Sequence, residues 1–230
     1  MIKIAIEPRI VEACPLMRVG LVHARVVNEP TSDALWSEME TAMAHIAAIG
    51  DVLAVNQRPA IAGTRALYKH LGKDPNRYRG ASEAMCRRII RGLEFYRHTM
   101  LVDLVNIVSL ESGYAISGLD GDKIEGGQLS MGVGREGEQY CGIGRGPVNI
   151  AGLPVYRDAV GGVASPTTDE ERTKMTPETT HTQICINAFA PEMPIEQATR
   201  WMAELLERHA HATELEMAIY NPINDTTTTL

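Results

Sequence analysis

The strongest constraint on the fold lies between residues 115 and 188, where short runs of strand-forming residues alternate with glycine-punctuated turns. Residues 115–119, 128–133, 139–142, 149–151, 155–157 and 182–188 each read as a strand. Their close spacing predicts a mostly antiparallel sheet. Helical patterns on both sides of this region make the chain a mixed α/β protein, with the sheet flanked by helices. The first 27 residues alternate as two further strands joined through Pro8 and Pro15, and residues 215–220 read as a closing strand.

The helices are read from apolar periodicity and caps. Thr31, Ser32 and Asp33 offer acceptors to the free amides of a helix start, and Leu35, Met39, Met43, Ile46 and Ile49 then recur at three- and four-residue steps before Gly50. A second helix is expected over about 60–71, ended by Gly72. Residues 73–80 are turn chemistry carrying cations. Ser82 is expected to cap a helix through about Arg97, with Met85, Ile89, Leu93 and Tyr96 on one side. The apolar run of residues 101–110 fits a buried helix, and residues 194–209 an amphipathic one. The chain is expected to form one unit over residues 1–220, with a flexible threonine-rich tail at 221–230.

Charge and cysteines restrict the function classes. The net charge of −7 argues against indiscriminate coating of nucleic acid, which rests on cations displacing counterions. That average hides an asymmetry. Residues 58–97 carry ten Lys and Arg against three acids, a balance of +7, and the rest carries 12 against 26, a balance of −14. A polyanion is therefore expected on one face, the other reading being a solvated helix face. Lys73, Arg77, Arg79, Arg87 and Arg88 are the candidate contacts for that polyanion, which the family resemblance given below implies to be RNA. Cys14, Cys86, Cys141 and Cys185 form no Cys-x-x-Cys pair, so they read as reduced, buried thiols and not as a zinc or disulfide framework. No run approaches the roughly 20 apolar residues of a membrane helix, and the start alternates like a strand, which predicts a cytoplasmic chain. Neither metal nor cofactor is implied, and DNA is not an expected partner.

Other residues read as structural. His23, His45, His209 and His211 lack evident partners, while His181 follows an Arg-Thr pair and is a weak candidate base. Gly142, Gly144 and Gly146 around Arg145 do not sit between a strand and a helix as a nucleotide loop requires, so turns explain them.

Residues 68–84, from Tyr68 through Pro75-Asn76-Arg77-Tyr78-Arg79-Gly80 to Ala84, resemble a motif of stand-alone B3/B4 domain proteins. Val102-Asp103-Leu104-Val105-Asn106 is similar to the Val-Asp-x-x-Asn element of the phenylalanyl-tRNA synthetase β subunit. Gly118-Leu119-Asp120, Lys123-Ile124, Gly137-Glu138, Asp158-Ala159-x-Gly161-Gly162 and Arg172-Thr173 follow in the family's order, so the resemblance covers roughly residues 60–190.

This resemblance implies an editing domain, which binds the 3′ end of tRNA wrongly charged with tyrosine and hydrolyses the ester. It also maps the site. Asn106 matches the motif asparagine and Gly162 the pocket glycine. Ser117 stands where the family has a histidine, and Asn187 where it has the editing glutamate. Neither Ser117 nor Asn187 is a base near neutral pH, although both form hydrogen bonds. Asn106, Ser117 and Asn187 are thus the candidate catalytic set. Ser165, Thr167, Asp169, Arg172 and Thr173 lie in a string resembling the stand-alone branch, and with Asp103, Asp158 and Gly162 they form the expected substrate pocket; Asp103 also reads as part of a buried hydrogen-bond network, and the string as a rigid turn. Two functions follow: an editing hydrolase acting in trans on misacylated tRNA, or a module that binds a free amino acid or related metabolite without catalysis. A third, hydrolysis of an unrelated small ester or amide, stays open because one fold hosts many chemistries. Nothing resembles the ATP-binding synthetase core, so no aminoacylation is expected.

Overall fold

The computed structural model describes every residue from Met1 to Leu230. Strand β1 (Lys3–Ile6) leads into helix α1 (Pro8–Ala13) and strand β2 (Arg18–Arg25). The two expected strands are therefore present, but a helix started by Pro8 joins them, since proline's fixed φ suits the first helical turn. Four helices follow: α2 (Asp33–Ala47), α3 (Pro59–His70), α4 (Ala81–Ile90) and α5 (Met100–Ser112). Ser32 caps α2 by accepting the Leu35 amide at 3.2 Å, as the sequence predicts. Ser82 does not cap α4. Gly80 occupies that position and Ser82 is buried within the first turn. The helix also stops at Ile90, seven residues before the expected end, because Gly92 turns the chain with a φ of +65°. Helix α5 is buried along most of its length and ends on Gly113 at a φ of +72°.

The second half is built of strands β3 (Ala115–Asp120), β4 (Gln128–Val133), β5 (Cys141–Gly142), β6 (Gly146–Pro147), β7 (Pro154–Arg157), β8 (Gly162–Ser165), β9 (Thr168–Asp169) and β10 (His181–Ala188). Helix α6 (Ile195–His209) and strands β11 (Thr213–Asn221) and β12 (Thr226–Thr229) close the chain. The expected strand at 149–151 is a turn, and β8 and β9 arise within a segment where no strand is expected. The tail also departs from expectation: Thr226–Thr229 pairs antiparallel with Ala218–Asn221. Threonine's branched side chain favours that extended pairing, and Tyr220 pins the connecting turn by donating to Asp225 at 2.7 Å.

One sheet has the order β1-β4-β7-β8-β9 and the other β12-β11-β2-β10-β3. All pairings are antiparallel except β1 with β4. Alternation in the second sheet divides the core. Val22, Ala24, Ile184 and Ile186 face α2, α5 and α6, whereas Val19, Leu21 and Cys185 face Leu129, Met131 and Tyr156 of the first sheet. The molecule is thus a helical layer over one sheet, with the second sheet stacked on its far side.

Helix α3 packs closely on the chain that leaves β10. A Cβ on Gly63 would lie 2.8 Å from the Ala190 nitrogen and 2.7 Å from the Ala190 Cβ. Gly63→Ala is expected to cost about 1–3 kcal/mol by overpacking, read as a lowered midpoint in thermal melts. An unchanged midpoint would mean that the two segments are free to separate. No helix is long and apolar enough to cross a membrane.

Candidate functional site

Strand β9 is the last of the first sheet and β3 the last of the second. The two edges meet, and the Gly118 amide of β3 donates to Asp169 Oδ2 of β9 at 3.2 Å. Beside this junction lies an open cavity of about 720 Å³, bordered by α4, α5, the segment after Ile90 and the residues following Thr173. Met85, Phe95, Val102, Val105, Ile116 and Met175 give it apolar walls. Asn106, Thr167 and Asp169 add polar groups, and Arg88, Arg145 and Lys174 add cations.

Asp169 is the only carboxylate on that wall. Burial pushes its carboxyl up to about 7, although the Ser117 hydroxyl and the Gly118 amide both favour the ionised form. Desolvation therefore outweighs two donors. The result is a carboxyl raised toward neutral pH in a cavity of mixed apolar and cationic walls, a property that suits a general base. Its position is fixed from behind: Ser117 is buried on β3, and the neighbouring Thr167 exchanges a hydrogen bond of 2.8 Å with the buried Tyr68 hydroxyl.

The expected residues divide into those at the cavity and those under it. Asn106, Thr167 and Asp169 line it, and Ser117 supports Asp169 from behind. Asn187 lies elsewhere, between the sheets, where it accepts from the Tyr156 hydroxyl at 2.7 Å and donates to the Ala115 carbonyl at 3.0 Å. Gly162 packs beneath the Tyr140 ring. Asp158 and Arg172 form a two-pronged ion pair at 2.9 Å, and Asp158 also accepts the amides of Glu125, Val160 and Gly161. Ser165 binds the Thr168 carbonyl and amide to tighten the β8–β9 turn, and buried Thr173 donates to Val163. Asp103 accepts from the Thr31 hydroxyl and the His98 amide, and burial raises its carboxyl. None of these seven residues lines the cavity.

The basic segment divides in the same way. Lys73 is buried, donates to the Asn149 and Ala151 carbonyls, and lies 3.7 Å from the Tyr78 ring centre. Buried Glu83 gathers Arg65 at 3.0 Å, Arg87 at 2.9 Å and Arg79 at 3.6 Å. Much of the +7 balance is thus spent inside the scaffold. Arg77 is exposed on the loop, and Arg88 stands at the cavity rim with its guanidinium 5.2 Å from the Tyr96 ring centre. His181 pairs with Asp122 at 3.0 Å and stacks on His23, away from the cavity. No three His, Cys, Asp or Glu side chains gather as a metal cage.

Sequence reading missed Arg145 and Lys174 as cavity residues. Arg145 sits in the β5–β6 turn, whose glycines do serve as turn residues, with Gly144 at a φ of +65° and Gly146 at +71°. The turn is tied down where Ile143 donates to the Asp169 carbonyl at 3.1 Å.

A family model described as the B3/4 domain matches residues 63–221. Among solved structures, the chain is similar to a crystal structure of an N-terminal fragment of the phenylalanyl-tRNA synthetase beta-subunit from Pyrococcus horikoshii. That similarity has 11% sequence identity and a TM-score of 0.47, over 94% of this chain and 51% of the other. The chain therefore spans about half the length of that fragment. No curated protein matches the sequence.

Proposed function

Because the chain belongs to the B3/4 domain family, we propose that it hydrolyses aminoacyl esters, its substrate being an amino acid wrongly attached to the 3′ end of tRNA. The observation that carries this reading is Asp169, a carboxyl held near neutrality in a cavity with apolar walls. Asp169 takes a proton from a water, whose oxygen attacks the ester carbonyl carbon. The Asn106 amide faces the same cavity and donates to the developing oxyanion. The ester C–O bond then breaks, and the ribose oxygen leaves with the proton held by Asp169. The products are a free amino acid and an uncharged 3′ end. An aminoacyl ester is already activated, so one base, one donor and fixed geometry suffice. The apolar walls favour an apolar or aromatic side chain on the amino acid.

The experiment is single-turnover deacylation across a panel of misacylated tRNAs, including tyrosine on the phenylalanine acceptor. Selective deacylation above the spontaneous rate supports the reading. Loss at the spontaneous rate throughout, with a thermal shift on adding a free amino acid, would replace it with a non-catalytic binding module.

A pH profile provides a second prediction. Only ionised Asp169 accepts a proton, so kcat/KM is expected to rise about tenfold per pH unit below 7 and level off above it. Ser117→Ala removes a donor that favours the ionised form, so the inflection moves to higher pH. An inflection that stays in place would separate Ser117 from the base.

A further inference from the structure

Next to the main cavity is a groove of about 360 Å³ lined by Arg79, Arg87, Arg88, Arg91 and Arg145 with Ala84, Met85 and Leu93, and no carboxylate lines it. The arginines come from separate places: Arg79 precedes α4, Arg87 and Arg88 lie on it, Arg91 follows it, and Arg145 reaches across from the β5–β6 turn. Arg79 and Arg87 share Glu83, which is buried behind the groove, and Arg88 donates to the Glu94 carbonyl. Arg91 and Arg145 are exposed and neither forms an ion pair. Like charges so close repel one another, and a phosphate anion between them relieves the repulsion while matching the planar donor pairs of guanidinium.

Arg88 and Arg145 line the groove and also the cavity that holds Asp169. The two spaces therefore share a wall. We propose that the groove binds phosphate carried by the leaving-group half of the ester: the acyl part occupies the apolar cavity and the phosphorylated alcohol extends over Arg88 and Arg145 into the groove. This deepens the hydrolase reading and rests on it for the identity of the alcohol. The phosphate belongs either to a nucleic-acid chain or to a single phosphorylated nucleotide, and the groove chemistry is the same for both.

The test is binding of an uncharged RNA hairpin with a single-stranded 3′ end, followed by fluorescence anisotropy over a salt series. It compares the native protein with the double variant Arg91→Ala, Arg145→Ala. A variant of equal charge loss, Lys3→Ala, Arg25→Ala, is the control; both of its residues are exposed on strands outside the groove. The groove variant is expected to bind about tenfold more weakly at 0.15 M salt, with a salt dependence smaller by roughly 1.4 in log–log slope, the value for two lost phosphate contacts on a single strand. The control should match the native protein. Competition by a nucleoside monophosphate at the same concentration as the hairpin would assign a single phosphate; competition by RNA alone would assign a chain. In deacylation, the groove variant should lose about tenfold more on an aminoacyl RNA than on a phosphate-free amino-acid ethyl ester.

Equal binding and equal salt slopes for groove and control variants would overturn the proposal, whatever the hydrolysis assays give. RNA binding that depends on the groove, with no ester cleaved by the native protein, would keep the phosphate site and remove the hydrolase.

Discussion

Asp169→Asn is expected to lower the rate of aminoacyl-ester hydrolysis by roughly 10²- to 10⁴-fold, the usual contribution of a positioned general base. The amide keeps the size of the carboxyl and still accepts the Gly118 amide, so the cavity keeps its shape. The same substitution carries a stability signature of opposite sign. Burial raises the Asp169 carboxyl from its ordinary value near 3.8 to about 7, so between these values the folded chain holds a proton that the unfolded chain has released. The associated stability is complete below the lower value and lost as pH rises to the upper one. Asparagine never ionises and loses nothing. The variant should therefore melt above the native protein at pH 8 by at least about 3 °C, the equivalent of 1 kcal/mol for a chain of this size, and the gap should narrow toward pH 5. Deacylation at pH 8 and melts at both pH values check the pair. An active variant, or one whose melting difference ignores pH, would remove Asp169 from the mechanism.

Glu83→Ala is expected to cost about 3–5 kcal/mol, because it leaves buried guanidinium groups with no counter-charge. The Glu83 side chain is 2% exposed, and those of Arg65 and Arg87 are 14% and 12% exposed, so little water reaches the cluster. Arg65 also holds the preceding loop through the Pro75 carbonyl and the Asn76 side chain, and Arg87 holds Asn56. Removing the carboxylate therefore loosens residues 73–80 together with α4. Thermal melts should show a fall of about 10 °C, at 2–4 °C per kcal/mol for a chain of this length. Glu83→Gln keeps the shape and should fall between the two. A midpoint within 2 °C of the native protein would show that the arginines find water or other partners.

The helices were legible where periodicity ran long enough. Leu35, Met39 and Ile46 mark α2, and the run around Leu104 and Ile107 marks the buried α5. The register of α4 was not legible, since Gly92 ends it while apolar spacing continues through Leu93 and Tyr96. Strands β8 and β9 have four and two residues, too few to show a period. That brevity also hid the site. Around the tight β8–β9 turn, Ser165 closes the backbone while Thr167 and Asp169 reach the cavity, and no spacing rule separates these roles. Asn187 was matched by position to a catalytic carboxylate, but its β10 register points it between the sheets, toward Tyr156. The charge count of residues 58–97 located a basic region correctly and overstated its free charge, because burial of Glu83 cannot be read from composition.

The bond from Gly118 to Asp169 joins two sheets that share no ladder at that point. An ionised acceptor makes a shorter and stronger hydrogen bond than a neutral one. The seam is therefore tightest when Asp169 is ready to receive a proton and slackest while it holds one. Proton transfer and the grip between the two sheets lie on one coordinate, so each catalytic cycle would loosen and retighten the wall of the chamber in which it takes place.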